Sequence, residues 1–241
     1  MVSMWLTVSR SAGYATPVRI PPLLRLAALI GCLAAQPGVA QVAVSGRLTI
    51  LDRGDRPGQD VGNAVLWLES PTLPAAMPVE TRIVTEGKQF VPRIVVVPAG
   101  STVRFPNNDP FNHNVFSLSE QGSFDLGLYG RGEEKGTVLA HPGLVQVYCN
   151  VHAQMSAVIL VRGNGQWVRP GSDGSFRFSD VPAGDYTLHV WHERAQPVSQ
   201  PLRVGAAAPA PLALTLDARR WRFVQHKDKT GRAYSDRGRR Y

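Results

Sequence analysis

Apolar and polar residues alternate in short runs along the chain beyond residue 40, with a period of two rather than the helical 3.6. Glycine (23) and proline (19) are spread between these runs, and neither residue suits the interior of a helix. The pattern predicts an all-β protein built from short strands and turns. The predicted strands are segments 44–50, 64–68, 81–84, 93–97, 102–105, 115–117, 144–149, 156–161, 175–178, 186–191 and 212–216.

The first 40 residues differ from the rest, because they contain three arginines, no acidic residue and an apolar stretch at 26–35. Together with the small residues that end at Ala40, they predict an export signal that is removed after Ala40. The mature protein is therefore expected in the periplasm or secreted, without a transmembrane segment, since the apolar stretch is too short to cross a bilayer. The alternative is a lipid anchor on Cys32, which follows the letters LIG.

Removal of the signal leaves one cysteine, Cys149, in the mature chain. Exported proteins usually pair their cysteines in disulfides. A single thiol in an oxidising compartment calls for another explanation, such as a metal that holds it as thiolate.

The formal net charge is +8, and it falls to +5 when the three signal arginines are removed. Nine of the remaining basic residues lie in segment 219–240, which has little periodicity. We interpret this segment as a mobile, solvated basic tail without a defined partner. Anionic lipid and an acidic protein are the alternatives for a partner of this segment; a basic tail could also meet nucleic acid, but no nucleic acid partner is expected here.

The sequence VQVYCNVHAQM holds the strongest chemical signal. Alternate residues of a strand share a face, so Val145, Val147 and Cys149 are expected to point together into a core. His152 and Met155 follow Cys149 at successive offsets of three, and a tight turn brings residues at this spacing to one side. One loop would then present a thiolate, an imidazole and a thioether to the same point.

A second imidazole comes from His113, just after the turn at 107–110. One cysteine and two histidines with a weak axial methionine form the electron-transfer copper site. Zinc sites more often show further cysteines or histidines. The sequence thus predicts one type 1 copper ion bound by four residues: His113, Cys149, His152 and Met155.

Segment 81–162 resembles the cupredoxins, the plastocyanin and amicyanin family of Greek-key β-sandwiches. The matching pieces are KQFVPRIVVVPAGSTVRFPNNDPFNHNVFS and HPGLVQVYCNVHAQMSAVILV, and the C-x-x-H-x-x-M spacing is similar to the amicyanin ligand loop. The resemblance implies that His113, Cys149 and His152 are equatorial ligands and Met155 the axial one. It also implies that Asn114 braces the ligand loop and that His152 lies near the surface. The whole chain further resembles proteins labelled methylamine utilization protein-like.

The segments on either side, GRLTILDRGDRPGQDVGNAVLWLE and SDGSFRFSDVPAGDYTLHVW, together resemble the carboxypeptidase regulatory-like β-sandwich. We therefore predict a cupredoxin domain (79–162) inserted into a small outer sandwich (41–70 and 164–217), after an export signal (1–40) and before a basic tail (218–241).

The resulting hypothesis is a copper protein that carries single electrons between periplasmic redox proteins. Its positive charge favours acidic partners, and Pro110, Phe111 and Ala153 would frame an apolar docking patch around His152. Catalysis is not expected, because the sequence lacks H-x-H pairs, a phosphate loop and a G-x-S-x-G elbow. A copper carrier or sensor, and a partner-binding β-sandwich with incidental copper, are the alternatives.

The other histidines are not expected to form a second site. His141 is predicted to be a surface residue in a turn, and His189 and His192 are predicted to lie on opposite faces of one strand.

Overall fold

The computed structural model describes residues 41–234, and the prediction of an all-β sandwich protein is confirmed. The predicted export signal, with Cys32, lies outside the described residues, as does segment 235–241. A single 3-10 turn (Val61–Asn63) is the one helical element of residues 41–234. The strands are β1 (Gln41–Asp52), β2 (Arg56–Pro57), β3 (Val65–Glu69), β4 (Glu80–Arg82), β5 (Val84–Glu86), β6 (Gln89–Val91), β7 (Ile94–Pro98), β8 (Ser101–Pro106), β9 (His113–Ser119), β10 (Gly122–Tyr129), β11 (Glu134–Leu139), β12 (Gly143–Cys149), β13 (Ser156–Arg162), β14 (Trp167–Val168), β15 (Ser175–Pro182), β16 (Gly184–Trp191), β17 (Val198–Val204) and β18 (Leu212–Asp217).

The middle strands, β4 to β13, surround one apolar core. A five-stranded sheet of order β10-β9-β12-β13-β7 faces a three-stranded sheet of order β11-β8-β4 and the β5-β6 hairpin. Alternate residues of β8 and β12, such as Val103, Phe105 and Val147, are buried between the layers. This period-two burial is the pattern that the sequence predicted.

The flanking strands come from both ends of the described chain and share a second core. One sheet has the order β15-β1-β18, with β2 added to β1, and the other has the order β14-β3-β16-β17. Phe178, Leu188 and Leu216 are fully or almost fully buried between these sheets. Strand β1 pairs antiparallel with β15 and parallel with β18, so the first and last strands are hydrogen-bonded neighbours.

A third apolar cluster joins the two groups of sheets through strand β13. Ala157, Ile159 and Val161 of β13 face the middle core, whereas Val158 and Leu160 pack with Val65, Trp191 and Ile94 on the opposite face. A strand that is buried on both faces needs an unbroken apolar run, which explains the sequence AVILV here.

Most residues of the described part of the tail, 218–234, are exposed, as expected of a solvated segment, but hydrogen bonds tie this part to distant positions of the chain. The Ala218 amide donates to the Leu51 carbonyl at 2.9 Å, and the Tyr234 hydroxyl donates to the Cys149 carbonyl at 2.7 Å. Long-range hydrogen bonds hold this segment although its sequence lacks periodicity, since its polar residues reach partners in distant strands.

Across residues 41–234, the structure contains no helix whose length and apolarity would let it cross a membrane.

Candidate metal centre

Cys149 ends strand β12 at the edge of the middle core. The side chains of Val145, Val147 and Cys149 are all fully buried, as expected for residues that share one face of a strand. Cys149 is the free cysteine of the described residues. Its sulfur is thus presented at the end of a rigid, core-facing row.

The loop after Cys149 turns back on itself. The Cys149 amide donates to the Met155 carbonyl at 3.3 Å, and the Met155 amide donates to the His152 carbonyl at 3.0 Å. The Val151 amide donates to the Cys149 sulfur at 3.4 Å. The tight turn predicted from the spacing therefore exists, and Met155 is buried in the same core cluster as Cys149.

His113 begins strand β9, which pairs with β12 so that Val115 lies opposite Cys149. Its Nδ1 atom lies 3.6 Å from the Cys149 sulfur and 3.3 Å from Nδ1 of His152. The three ligand atoms all lie within 4.8 Å of one another, and all three residues are buried. The structure thus brings together His113, Cys149 and His152.

This donor set fits a metal ion. Ligand atoms that lie about 2.0–2.3 Å from a shared centre in a trigonal arrangement are about 3.5–4 Å apart, which is close to the two separations given above. Two imidazoles and a thiolate suit copper in both oxidation states. Two ring nitrogens that face each other across 3.3 Å cannot both be satisfied by one shared proton and a thiol as well as by a cation that all three atoms bind.

Asp109 fixes the orientation of the His113 ring, and the sequence analysis assigned it no role. The His113 Nε2 atom lies 2.8 Å from Oδ2 of Asp109, in a buried contact. A carboxylate at Nε2 keeps the proton there and leaves Nδ1 free to bind a metal, as is usual for metal-binding histidines. The sequence signal that could have predicted this role is a carboxylate four residues before a candidate histidine ligand, which is the spacing of Asp109 and His113.

A tight turn between β5 and β6 holds Asp109 in place. The Gly87 amide donates to Asp109 Oδ1 at 2.7 Å and the Lys88 amide to Oδ2 at 3.0 Å. Both turn residues have positive φ (61° and 58°), which costs little for glycine but is uncommon for lysine. Burial alone would raise the pKa of Asp109, but the hydrogen bonds from Lys88, His113 and Gly87 outweigh it and lower the pKa below its ordinary value.

Asn107 organises the segment that carries Asp109 and Phe111. Its buried side chain accepts a hydrogen bond from the Asp109 amide at 2.9 Å and donates to the Phe111 carbonyl at 2.9 Å. The Thr85 hydroxyl donates to the same side-chain oxygen at 3.0 Å. A buried network in which these groups find partners rigidifies the segment before His113.

Phe111 covers the two imidazoles. Its ring centroid lies 5.4 Å from that of His113 and 5.2 Å from that of His152. His152 is only 5% exposed, so it is more enclosed than the resemblance implied, because the Phe111 ring packs against it. The Lys88 ammonium lies over the Phe111 ring, 5.1 Å from its centroid. Pro110 is exposed, and Phe111 and Ala153 are half-buried.

Burial also sets the protonation of the candidate ligands. It raises the pKa of the Cys149 thiol, and hydrogen bonds from neighbouring main-chain amides offset only part of the rise. Burial, followed by repulsion from His113 and Lys88, lowers the pKa of His152. His152 is therefore neutral and able to bind a metal at pH 7, whereas Cys149 must lose its proton when a metal binds.

Asn114 braces the ligand loop through its main chain. Its carbonyl accepts a hydrogen bond from the Asn150 amide at 3.1 Å. Its side-chain Nδ2 instead donates to Oδ1 of Asp125 at 2.6 Å. The contact with the ligand loop is therefore made by the backbone, and the side chain is directed toward strand β10.

His141, His189 and His192 do not belong to this group of ligands. His141 is exposed, as predicted. His189 stacks on Trp67 with ring centroids 4.8 Å apart, whereas His192 is fully buried. Within residues 41–234, the one group of three potential metal ligands is His113, Cys149 and His152.

Among family models, curated proteins and solved structures, only solved structures are similar to this chain. No protein-family model matches the chain, and no curated protein matches it. Among similar solved structures, a copper-containing nitrite reductase from Thermus scotoductus SA-01 is 28% identical over 36% of this chain, with a TM-score of 0.32. The match spans only 22% of that reductase.

Two smaller proteins are matched over almost their whole length. A purple cupredoxin from Nitrosopumilus maritimus is 22% identical, with 34% of this chain and 99% of that chain covered and a TM-score of 0.31. A reduced amicyanin variant is 14% identical, with 40% and 98% covered and a TM-score of 0.33. Because all these TM-scores lie below 0.5, the similarities carry no weight for the chemistry of this chain, which depends on its own residues.

Proposed function

We propose that this protein is a mononuclear type 1 copper protein that carries single electrons between redox partners in the periplasm. The observation that supports this most directly is the convergence of His113 Nδ1, His152 Nδ1 and Cys149 Sγ within 4.8 Å in a buried site. Copper bound there would supply a one-electron couple. Met155 is the proposed axial ligand, since it is buried in the same core cluster as Cys149.

The surrounding residues suit electron transfer because they limit movement. Asp109 holds the proton on Nε2 of His113, and Phe111 excludes water from both imidazoles. The ligands sit at strand ends and in a hydrogen-bonded turn, and packed cores resist deformation. Ligands that are held in this way move little when an electron arrives or leaves.

The proposed route for the electron passes through the edge of His152. Phe111 packs against this ring, and we expect exposed Pro110 and half-buried Ala153 to complete an apolar patch with Val151, which is 38% exposed. Transient redox encounters use small interfaces, so a modest apolar patch is sufficient. The Lys88 ammonium over Phe111 adds positive charge at this surface, which favours an acidic partner at low salt.

The deciding experiment is a titration of the metal-free protein with Cu(II) under air. We expect an intense blue band from the thiolate and copper, bleached by a mild reductant and restored by reoxidation. Cys149→Ser is the matched control and should bind without the band, because the hydroxyl cannot replace the soft sulfur.

Other outcomes would contradict the electron carrier. Stable binding of Cu(I) with transfer to a chelator, but no reversible colour, would indicate a copper carrier or sensor. A preference for Zn(II) over copper, or an unchanged cellular phenotype of Cys149→Ser, would indicate a structural or partner-binding module. The enclosure of His152, which is 5% exposed, favours retention of the metal over rapid exchange.

We also propose that segment 79–162 is a domain inserted into the outer sandwich formed by 41–70 and 164–217. The two connections between them run side by side, since Ala75 and Asn164 form a β-bridge and the Ala76 amide donates to the Gly163 carbonyl at 3.2 Å. Adjacent ends are what an inserted domain requires. Replacing residues 77–162 with a short Gly-Ser linker should leave a folded β protein by circular dichroism, and an unfolded product would contradict the boundaries.

A further inference from the structure

The end of the described chain crosses the candidate ligand loop. Residues 225–234, here called the strap, follow strand β18 of the outer sandwich. The strap has internal structure, because the carboxylate of Asp228 accepts hydrogen bonds from the amides of Thr230 and Arg232 at 2.8 Å and 2.9 Å. It is therefore a shaped segment rather than an extended tail.

Three strap residues donate hydrogen bonds to segment 149–153, which begins at Cys149 and contains His152. The Tyr234 hydroxyl donates to the Cys149 carbonyl at 2.7 Å, and the Lys229 amide donates to Oδ1 of Asn150 at 3.0 Å. The Gln225 side-chain amide donates to the Ala153 carbonyl. All three acceptors lie in segment 149–153, so the strap holds the part of the loop that positions the sulfur and one imidazole.

The strap also reaches the strand that carries the other imidazole. The Lys229 ammonium pairs with Oδ2 of Asp125 at 2.7 Å, and Oδ1 of Asp125 accepts the 2.6 Å hydrogen bond from Asn114. Asn114 directly follows His113 in the chain. Lys229 thus links both ligand-bearing segments, one through its amide and the other through its side chain.

Aromatic packing seals this contact. The His226 ring stacks on Tyr148, the residue before Cys149, with centroids 4.1 Å apart and an interplanar angle of 18°. Tyr234 meets His226 edge to face at 5.2 Å. Stacked rings exclude water from main-chain hydrogen bonds beneath them, which strengthens the bond from Tyr234 to Cys149.

The start of the tail is fixed to the outer sandwich. The Ala218 amide donates to the Leu51 carbonyl at 2.9 Å, and the Arg194 guanidinium lies 6.0 Å from the Trp221 ring centroid. Segment 218–234 is therefore held by the outer sandwich at its start and by the ligand loop along the strap.

We propose that Tyr234 and Lys229 are positioning residues that hold the ligand loop in its metal-binding shape, and that the outer sandwich serves as the anchor for this strap. The proposal rests on the proposed copper site for its purpose, but the positioning itself belongs to the protein without metal. Preorganised ligands bind more tightly because less order is lost on binding.

The first test measures amide hydrogen exchange of the metal-free, full-length protein. Tyr234→Phe keeps the ring and removes only the hydroxyl, so we expect exchange in segment 150–155 to become roughly fivefold faster, the factor that corresponds to one hydrogen bond of about 1 kcal/mol. Unchanged exchange in this segment would overturn the proposal.

Tyr186→Phe is a matched control in the outer sandwich. The Tyr186 hydroxyl donates to the Pro182 carbonyl at 2.8 Å, which is the same kind of bond at nearly the same length as that of Tyr234. This variant should alter exchange near residue 182 and leave segment 150–155 unchanged. Equal acceleration of segment 150–155 in both variants would show a general loss of stability and would overturn a positioning role.

The second test uses the copper-loaded protein. Tyr234→Phe should shift the electron paramagnetic resonance spectrum and the reduction potential, and should speed the loss of Cu(I) to a chelator several-fold, whereas Tyr186→Phe should change none of these. If the wild type takes up no copper, the proposed function fails while the exchange experiment still decides the role of the strap. If copper binds and both variants match the wild type in every measurement, the strap proposal alone is wrong.

Discussion

The buried histidines of residues 41–234 lie in two clusters, which differ in the groups that surround each imidazole. In the outer sandwich, fully buried His192 accepts a hydrogen bond from the Arg194 amide at 3.3 Å, and its Nε2 lies 3.5 Å from Asp60. Arg194 in turn pairs with both Asp52 and Asp60. In the candidate centre, by contrast, His113 and His152 direct Nδ1 atoms toward each other and toward Cys149.

These surroundings distinguish a structural cluster at His192 from a candidate metal-binding cluster at His113 and His152. Around His192, the Arg194 guanidinium pairs with Asp52 and Asp60, whereas His192 Nε2 has no hydrogen-bond partner. Within residues 41–234, His192 belongs to no group of three potential metal ligands. At the candidate centre, Asp109 satisfies only the far side of His113, and three electron-pair donors share one point. Electron-pair donors that converge in a buried site can share one metal ion.

The largest expected difference between the two clusters concerns direct ligation. His113→Gln should abolish the blue band and weaken Cu(I) binding by more than about 100-fold, since even loss of a supporting residue costs 10- to 100-fold. His192→Gln should keep the band and lower only the free energy of unfolding, by about 1–3 kcal/mol for a disturbed buried polar group. Optical titration and urea unfolding measure the two effects, and loss of the band in His192→Gln would contradict the distinction.

The carboxylate beside each histidine gives a second, smaller contrast. Asp109→Asn should weaken metal binding about 10- to 100-fold, because an amide holds the proton on His113 Nε2 less firmly and places a donor against the Gly87 or Lys88 amide. Asp60→Asn changes the same group beside His192 and should leave metal affinity unchanged. Competition with a chelator of known affinity measures both variants. Equal affinity in wild type and Asp109→Asn would show that Asp109 does not position the ligand.

The pH dependence of metal binding should correspond to the release of one proton per metal ion bound. Because burial raises the pKa of Cys149, its thiol is protonated between pH 7 and 8 and must release that proton on binding. His152, whose pKa is lowered chiefly by burial, is neutral in the same range and adds no further proton. Affinity should therefore rise about tenfold per pH unit. A hundredfold rise per unit would mean that a protonated histidine also has to be displaced.

The smallest effect concerns the stability of the metal-free protein in acid. Burial lowers the pKa of His192, with Arg194 opposing its charge and Asp60 favouring it. The unfolded chain then binds the proton first, so this contribution to stability is complete above pH 6.5 and is lost as the pH falls through that value. His192→Gln should reduce the slope of the unfolding free energy between pH 7 and 5. An unchanged slope would place the acid sensitivity at other groups.

The predictable parts of the fold were those in which a local pattern decides the structure. Strands with strong alternation, such as β8 and β12, follow from the sequence, whereas β10, β11 and β17 were missed, as were the short strands β2, β6 and β14. Gly122–Tyr129 contains two glycines, one at its start and one within it, and Glu134–Leu139 is half polar. Strand β17 includes Pro201, which is tolerated because β17 lies at the edge of its sheet and pairs only with β16.

The candidate site likewise has a part that the sequence predicts and a part that it does not. Cys149, His152 and Met155 lie in one short loop, so their spacing alone indicated a shared centre. The turn at Gly87 and Lys88 meets Asp109 from more than 20 positions away, and Tyr234 meets Cys149 from 85 positions away. Such contacts depend on the final packing of distant strands, so no local periodicity predicts them.

Strand β13 has a consequence for how the chain unfolds. Ile159 belongs to the middle core and Leu160 to the cluster that contains Trp191 of the outer sandwich. Loss of this strand would open the middle core and the cluster beside Trp191 at the same time, so heat or denaturant should unfold the middle domain and its contact with the outer sandwich in one cooperative transition. A redox partner that touches the ligand loop would accordingly meet one body that includes the outer sandwich as well as the candidate metal centre.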